Sequence, residues 1–192
     1  MALAKFTPDG ILDACAEEVL ANGGDVRIAD IASRLGAPTG SIYHRFGSRQ
    51  ELLVRLWLRS VGRFHVDYLA AGDQDDPERA LLAMAECVVA FSRDHQLDAV
   101  AMTLYRHSRL VLTAPESCRE DVENINVGIH DRLAVLAERR YEHTTERHRF
   151  LVRLAAAESP YGLVRPYLWN SVPASLPEVV VASSRAILAL GD

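Results

Sequence analysis

The chain has 192 residues, 49% of them hydrophobic and 24% charged, with a formal net charge of -5. That balance suits a globular chain that buries a core and excludes a disordered or low-complexity one. No apolar run approaches the ~18 residues of a membrane span, the N-terminus lacks the layout of a secretory leader, and Cys15, Cys87 and Cys118 are too scattered for a disulfide framework or a zinc cluster, so the expected location is the cytoplasm.

Helical periodicity dominates, and no segment alternates with period two over strand length. Pro and Gly divide the chain into nine or ten predicted helices. The first runs from Thr7 or Pro8 to Ala21, capped by Thr7 and ended by Asn22-Gly23-Gly24. The second is Ile28 to Leu35, stopped by Gly36, and the third is Pro38 to Arg45, with Ile42 and Phe46 inward. Ser48 caps a long fourth helix ending near Gly72, with Glu51 at the capping-box position. Pro77 opens a fifth helix through Arg93, and residues 96–113 hold one or two short helices. A long helix is predicted over Glu116–Tyr141, because Val122, Ile125, Ile129, Leu133 and Leu136 keep helical spacing. Another is predicted over Thr145–Glu158, broken at Ser159-Pro160-Tyr161-Gly162, and a last one over Leu176–Leu190.

The stretch from Val26 to Arg49 carries the clearest chemical signal. It reads as two short helices joined by a Gly turn, the layout of a DNA-reading helix-turn-helix. Its four arginines against Asp30 give +3, so subtraction from -5 leaves -8 on the rest of the chain. A small basic patch on an acidic body binds phosphate while the body discourages unspecific coating of DNA. A reading helix needs a face slim enough to approach base edges, and Thr39, Gly40 and Ser41 supply it. Tyr43 offers a ring for a thymine methyl or a hydroxyl for a phosphate, with His44 and Arg45 beside it. Arg49 and Arg27 are expected at the phosphates of the two strands.

The run I-A-S-R-L-G-A-P-T-G-S-I-Y-H-R-F-G-S-R-Q-E-L-L, Ile31 to Leu53, resembles the signature of the TetR family of bacterial transcription regulators. The preceding I-L-D-A-C-A-E-E-V-L-A-N-G-G resembles that family's first helix. The resemblance covers residues 10–56; beyond them only the length and the helical outline agree. It implies an all-α fold, with a three-helix DNA-binding domain at residues 1–48 and a helical ligand-binding and dimerisation domain at 49–192. It also implies a homodimer joined near residues 116–141 and 145–158. A small-molecule effector would release this repressor from a palindromic DNA operator. By position, Thr39, Ser41, Tyr43, His44, Arg45 and Arg49 match the family's DNA contacts. Three features depart from the pattern. Val26-Arg27 stand where a capping Thr is frequent. Only Lys5 precedes Thr7 as a basic residue. The third helix opens on Pro38-Thr39-Gly40 without a charged side chain.

Trp57, Phe64, Phe91, Met102, Tyr105 and Trp169 either pack in the core or line a ligand cavity. The resemblance implies that at least two touch ligand, with Glu86 and His107 as polar neighbours. His143 and His148 are five residues apart and do not share a helical face, so they read as solvated charge rather than metal ligands. His130-Asp131 alone does not make a phosphohydrolase site. The arginines from Arg132 to Arg153 alternate with glutamates, as on a salt-bridged helix surface. Catalytic and phosphate-binding motifs are absent from the sequence, so neither an enzyme nor a cofactor is expected. The rival reading is a helical small-molecule-binding dimer that no longer reads DNA.

Overall fold

The computed structural model describes residues 6–192. Lys5, the basic residue ahead of the first helix, lies outside them. Among the described residues every regular element is helical: α1 (Pro8–Asn22), α2 (Ile28–Leu35), α3 (Thr39–Phe46), α4 (Arg49–Ala71), α5 (Pro77–Asp94), α6 (Gln96–Ala101), α7 (His107–Thr113), α8 (Arg119–Asn124), α9 (Val127–Arg140), α10 (Glu146–Arg153), α11 (Ser159–Val164) and α12 (Leu176–Ala189). Packing divides the chain into two units. One takes the chain through Gly62 and adds Leu97–Ile125; the other joins Arg63–Gln96 to Asn126–Asp192. These units divide the chain elsewhere than at the 48/49 boundary expected from the sequence, because the first half of α4 and residues 97–125 pack in the same unit as α1 to α3.

In the first unit, the Thr7 hydroxyl accepts from the Gly10 amide at 3.1 Å and starts α1. Gly23, with φ +62°, ends that helix in a backbone region that costs a Cβ-bearing residue energy. Gly36 turns α2 into the link to α3 in the left-handed conformation. α1 packs on α2 and α2 on α3. Ile11, Cys15, Ile31, Ile42 and Leu52 are all fully buried at their centre. Burial of such side chains contributes about 1.5–3 kcal/mol each. Pro38 precedes α3 as its cap instead of forming its first turn, because it sits at ψ 138°, outside the helical region. The Ser48 hydroxyl accepts from the Glu51 amide at 3.0 Å and starts α4.

The helix predicted over 116–141 is not continuous. A 3-10 turn at Glu116–Cys118 leads into α8, and α9 begins afresh at Val127. Val122 belongs to the core of the first unit, while Ile129, Leu133 and Leu136 are buried in the second. The apolar spacing runs unbroken across the junction, so periodicity alone does not reveal it.

In the second unit, the Asp76 carboxylate caps α5 through the Arg79 amide at 2.6 Å. α5 buries residues around most of its circumference, from Ala80 to Ser92, as a central helix must. α9, α11 and α12 pack against it. The predicted break at Ser159-Pro160 does not occur either. One turn of π-helix, Leu154–Glu158, joins α10 to α11. There the Ser159 amide donates to the Leu154 carbonyl, and Pro160 has no amide to give. The Ala155 and Ala156 carbonyls are thereby left without their α-helical donors. The Ser184 hydroxyl donates to Ala155 at 2.7 Å and the Tyr68 hydroxyl to Ala156 at 2.9 Å, so the helix continues.

Candidate nucleic-acid interface

α3 exposes the side expected to read DNA. Thr39, Gly40, Tyr43 and His44 are exposed and Ser41 is half-buried, while Ile42 and Phe46 point into the core. Tyr43 keeps 49% of its surface open, so its ring is not a core residue. Pro38 makes no side-chain cap, which leaves the first turn of α3 available to a bound anion.

The arginines are less uniform than their count suggests. Arg27 is 82% exposed at its side chain and pairs with Asp30 at 3.2 Å. Arg34 meets Glu17 at 2.9 Å and Glu18 at 2.7 Å. Glu18 is buried and also accepts from Asn22 at 2.9 Å. Arg34 therefore neutralises a buried carboxylate, and its charge is largely spent within the unit. Arg45 is half-buried and folds back to donate to the Ser41 carbonyl at 2.9 Å, which leaves its net charge on α3. Arg49 donates to the Val26 carbonyl at 2.6 Å and to the Gly24 carbonyl, so main-chain oxygens occupy it in the free protein. With Arg27 answered by Asp30 and Arg34 by Glu17 and Glu18, the positive charge left in the stretch is that of Arg45 and Arg49, at the end of α3 and the start of α4.

Of the residues considered for a ligand cavity, four come together in the first unit. The Trp57 indole donates to the Met102 carbonyl at 3.1 Å and stacks on His107, ring centres 6.4 Å apart and planes 8° from parallel. Met102 and Tyr105 pack against the cluster of Val54, Trp57, Val61 and Leu110. His107 is held by the Val122 carbonyl at 2.8 Å. Burial raises the Tyr105 phenol pKa, and the positive charge of Arg49 opposes that rise. Phe64 and Phe91 lie in the second unit, edge to face at 5.3 Å. Glu86 and Trp169 are exposed there.

Sequence reasoning missed the ties that hold α4. Arg59 pairs with Asp13 at 2.8 Å, and the buried Ser60 hydroxyl donates to the buried Asp98 carboxylate at 2.7 Å. Arg55 reaches Asp121 at 2.7 Å and also the Ser117 carbonyl. A signal was present: Arg55 and Arg59 share one helical face at four-residue spacing, as do Asp9 and Asp13. His148, read as solvated charge, stacks on the Tyr141 ring at 4.3 Å and caps α10 together with Thr145. Among the described residues, no group of three or more His, Cys, Asp or Glu is placed to hold a metal ion, and no helix is long and apolar enough to cross a membrane.

Residues 11–56 match the family model of bacterial regulatory proteins, tetR family. The fold is similar to solved regulators along nearly the whole chain. The TetR family transcriptional regulator PfmR from Thermus thermophilus is 19% identical, with 93% of this chain and 97% of that one covered and a TM-score of 0.74. The ketosteroid transcriptional regulator KstR2 of Mycobacterium tuberculosis is 17% identical, with 95% and 93% covered and a TM-score of 0.72. The fatty acid degradation regulator FadR from Bacillus halodurans is 19% identical, with 94% of each chain covered and a TM-score of 0.70. No curated protein matches the sequence.

Proposed function

From the match of residues 11–56 to the family model of bacterial regulatory proteins, tetR family, we propose that the chain is a repressor of that kind, released from a palindromic operator by a small molecule. The observation that carries the reading is α3: small, hydroxyl-bearing and aromatic side chains stand outward on a helix whose inner face is locked by Ile42 and Phe46. Residues 1–48 form the reading domain, and 49–192 serve effector binding and dimerisation. Thr39, Gly40, Ser41, Tyr43 and His44 approach base edges and phosphates, with Arg27, Arg45 and Arg49 supplying the local positive charge.

The effector locus is Trp57, Met102, Tyr105 and His107, a mixed aromatic and polar group beside α4. The homodimer forms through the later helices near 116–141 and 145–158. Val127, Val135 and Phe150 support this placement, because these large apolar side chains are exposed there in the single chain. Effector binding disfavours the pose in which two reading helices fit successive major grooves. A coupling of about 1–3 kcal/mol is typical of such linkage.

The test titrates the purified protein onto the region upstream of its own gene at two salt concentrations. A specific complex with a steep salt dependence supports the reading. Equal affinity for unrelated duplexes, or none, favours the rival small-molecule-binding dimer. The pairing of Arg27 with Asp30 and of Arg34 with Glu17 and Glu18 is the observation on that side.

A further inference from the structure

We propose that Arg49 acts as a positioning residue for DNA reading, clamping the turn between α1 and α2 to the first turn of α4 instead of serving as a phosphate contact. The inference rests on the DNA-binding reading above. Nε donates to the Val26 carbonyl at 2.6 Å, and an Nη of the same guanidinium donates to the Gly24 carbonyl. A planar fork satisfies two main-chain oxygens at once, and a guanidinium so engaged has lost much of its capacity for a phosphate.

The turn it holds has little else to fix it. Gly23 stands at φ +62°, and α2 opens at Arg27 without a side-chain capping bond. Val26 is buried and pins one point of the turn. α3 lies in sequence between α2 and α4, with only short links on either side. The Arg49–Val26 bond spans 23 residues and closes that segment into a ring containing both α2 and α3. Closing the ring removes freedom from the reading helix before DNA arrives, so less ordering is left for binding.

The experiment uses the full chain and a duplex selected by the wild-type protein from a random-sequence pool. Affinity is measured over a range of salt concentrations. Amide hydrogen exchange is measured on the protein without DNA. The expected result for Arg49→Ala is at least about a tenfold loss of affinity with an unchanged salt slope. Amides of residues 24–35 exchange faster in the same variant. Arg49→Lys keeps the charge but lacks the fork, and restores neither property. A salt slope reduced by about 0.9 per subunit with unchanged exchange overturns the proposal, as does unaltered affinity. If Arg49→Ala does not fold, Arg49→Gln, which retains one donor group, carries the same two measurements. Should the wild type select no duplex, the DNA-binding reading fails, and the exchange comparison still decides if Arg49 holds the turn.

Discussion

The Tyr68 hydroxyl donates to the Ala156 main-chain carbonyl at 2.9 Å, with both groups buried in the second unit. The bond replaces the amide that Pro160 lacks. Tyr68→Phe leaves that carbonyl unpaired away from water, and the expected cost is about 1–3 kcal/mol. For a chain of this length that lowers the melting temperature by about 2–4 °C per kcal/mol. In a Pro160→Ala background, an amide returns to the helix. The cost of Tyr68→Phe is then smaller, and a double-mutant cycle in thermal or denaturant unfolding measures the difference.

Tyr43 is open to solvent on α3, so its truncation touches little of the core. Tyr43→Ala is expected to change folding stability by less than about 0.5 kcal/mol. Binding to the selected duplex weakens about tenfold, in line with the loss of one good contact. Wild-type affinity in this variant removes Tyr43 from the reading face.

Arg34 belongs to the same basic stretch, yet its guanidinium is engaged by Glu17 and the buried Glu18. Arg34→Ala is expected to lower the melting temperature, because it strands a buried carboxylate. Glu18→Gln in the same chain restores part of the loss. The salt slope of DNA binding stays at the wild-type value, whereas a phosphate contact would reduce it by about 0.9. Melting curves and a salt titration of the single and double variants check both outcomes.

The thiols provide a pH-dependent reading of the cores. Burial pushes the Cys15 thiol up to about 12, against partial relief from Arg59, and pushes Cys87 up to about 11. An unfolded thiol ionises near about 8.5, so the folded chain holds more protons than the unfolded one above that pH. Stability from these groups is complete below about 8.5 and is lost as pH rises toward the folded values. Unfolding free energy is expected to fall between pH 9 and 11 by less in Cys15→Ala than in the wild type. At pH 8, a thiol reagent labels Cys15 only as fast as the chain unfolds.

Much of the fold was legible because its signals are local. The hydroxyl of Thr7, the carboxylate of Asp76, and the glycines at 23 and 36 act within a few residues of themselves. The α3 face was legible for the same reason: Ile42 and Phe46 fix which side turns inward, so Tyr43 and His44 must turn outward. Two helix boundaries were misread because their causes are distant in sequence. A proline at 160 predicts a break only in the absence of Tyr68 and Ser184, which supply the missing donors from other helices. The junction at 125/126 is invisible to periodicity, since both units demand apolar residues at the same spacing.

The sequence by itself determined an all-helical chain with a slim third helix in a locally basic stretch near its N-terminus. Side-chain type, spacing and capping act over a few residues and suffice for that. The tertiary structure alone decided where each charge is spent. Arg34 is committed to a buried carboxylate, Arg49 to two carbonyls, and Arg45 to its own helix. A guanidinium binds whichever acceptor folding brings within about 3 Å; for Arg34 and Arg49 that distance is set by packing between residues far apart in the chain, whereas Arg45 finds its acceptor one turn back in α3.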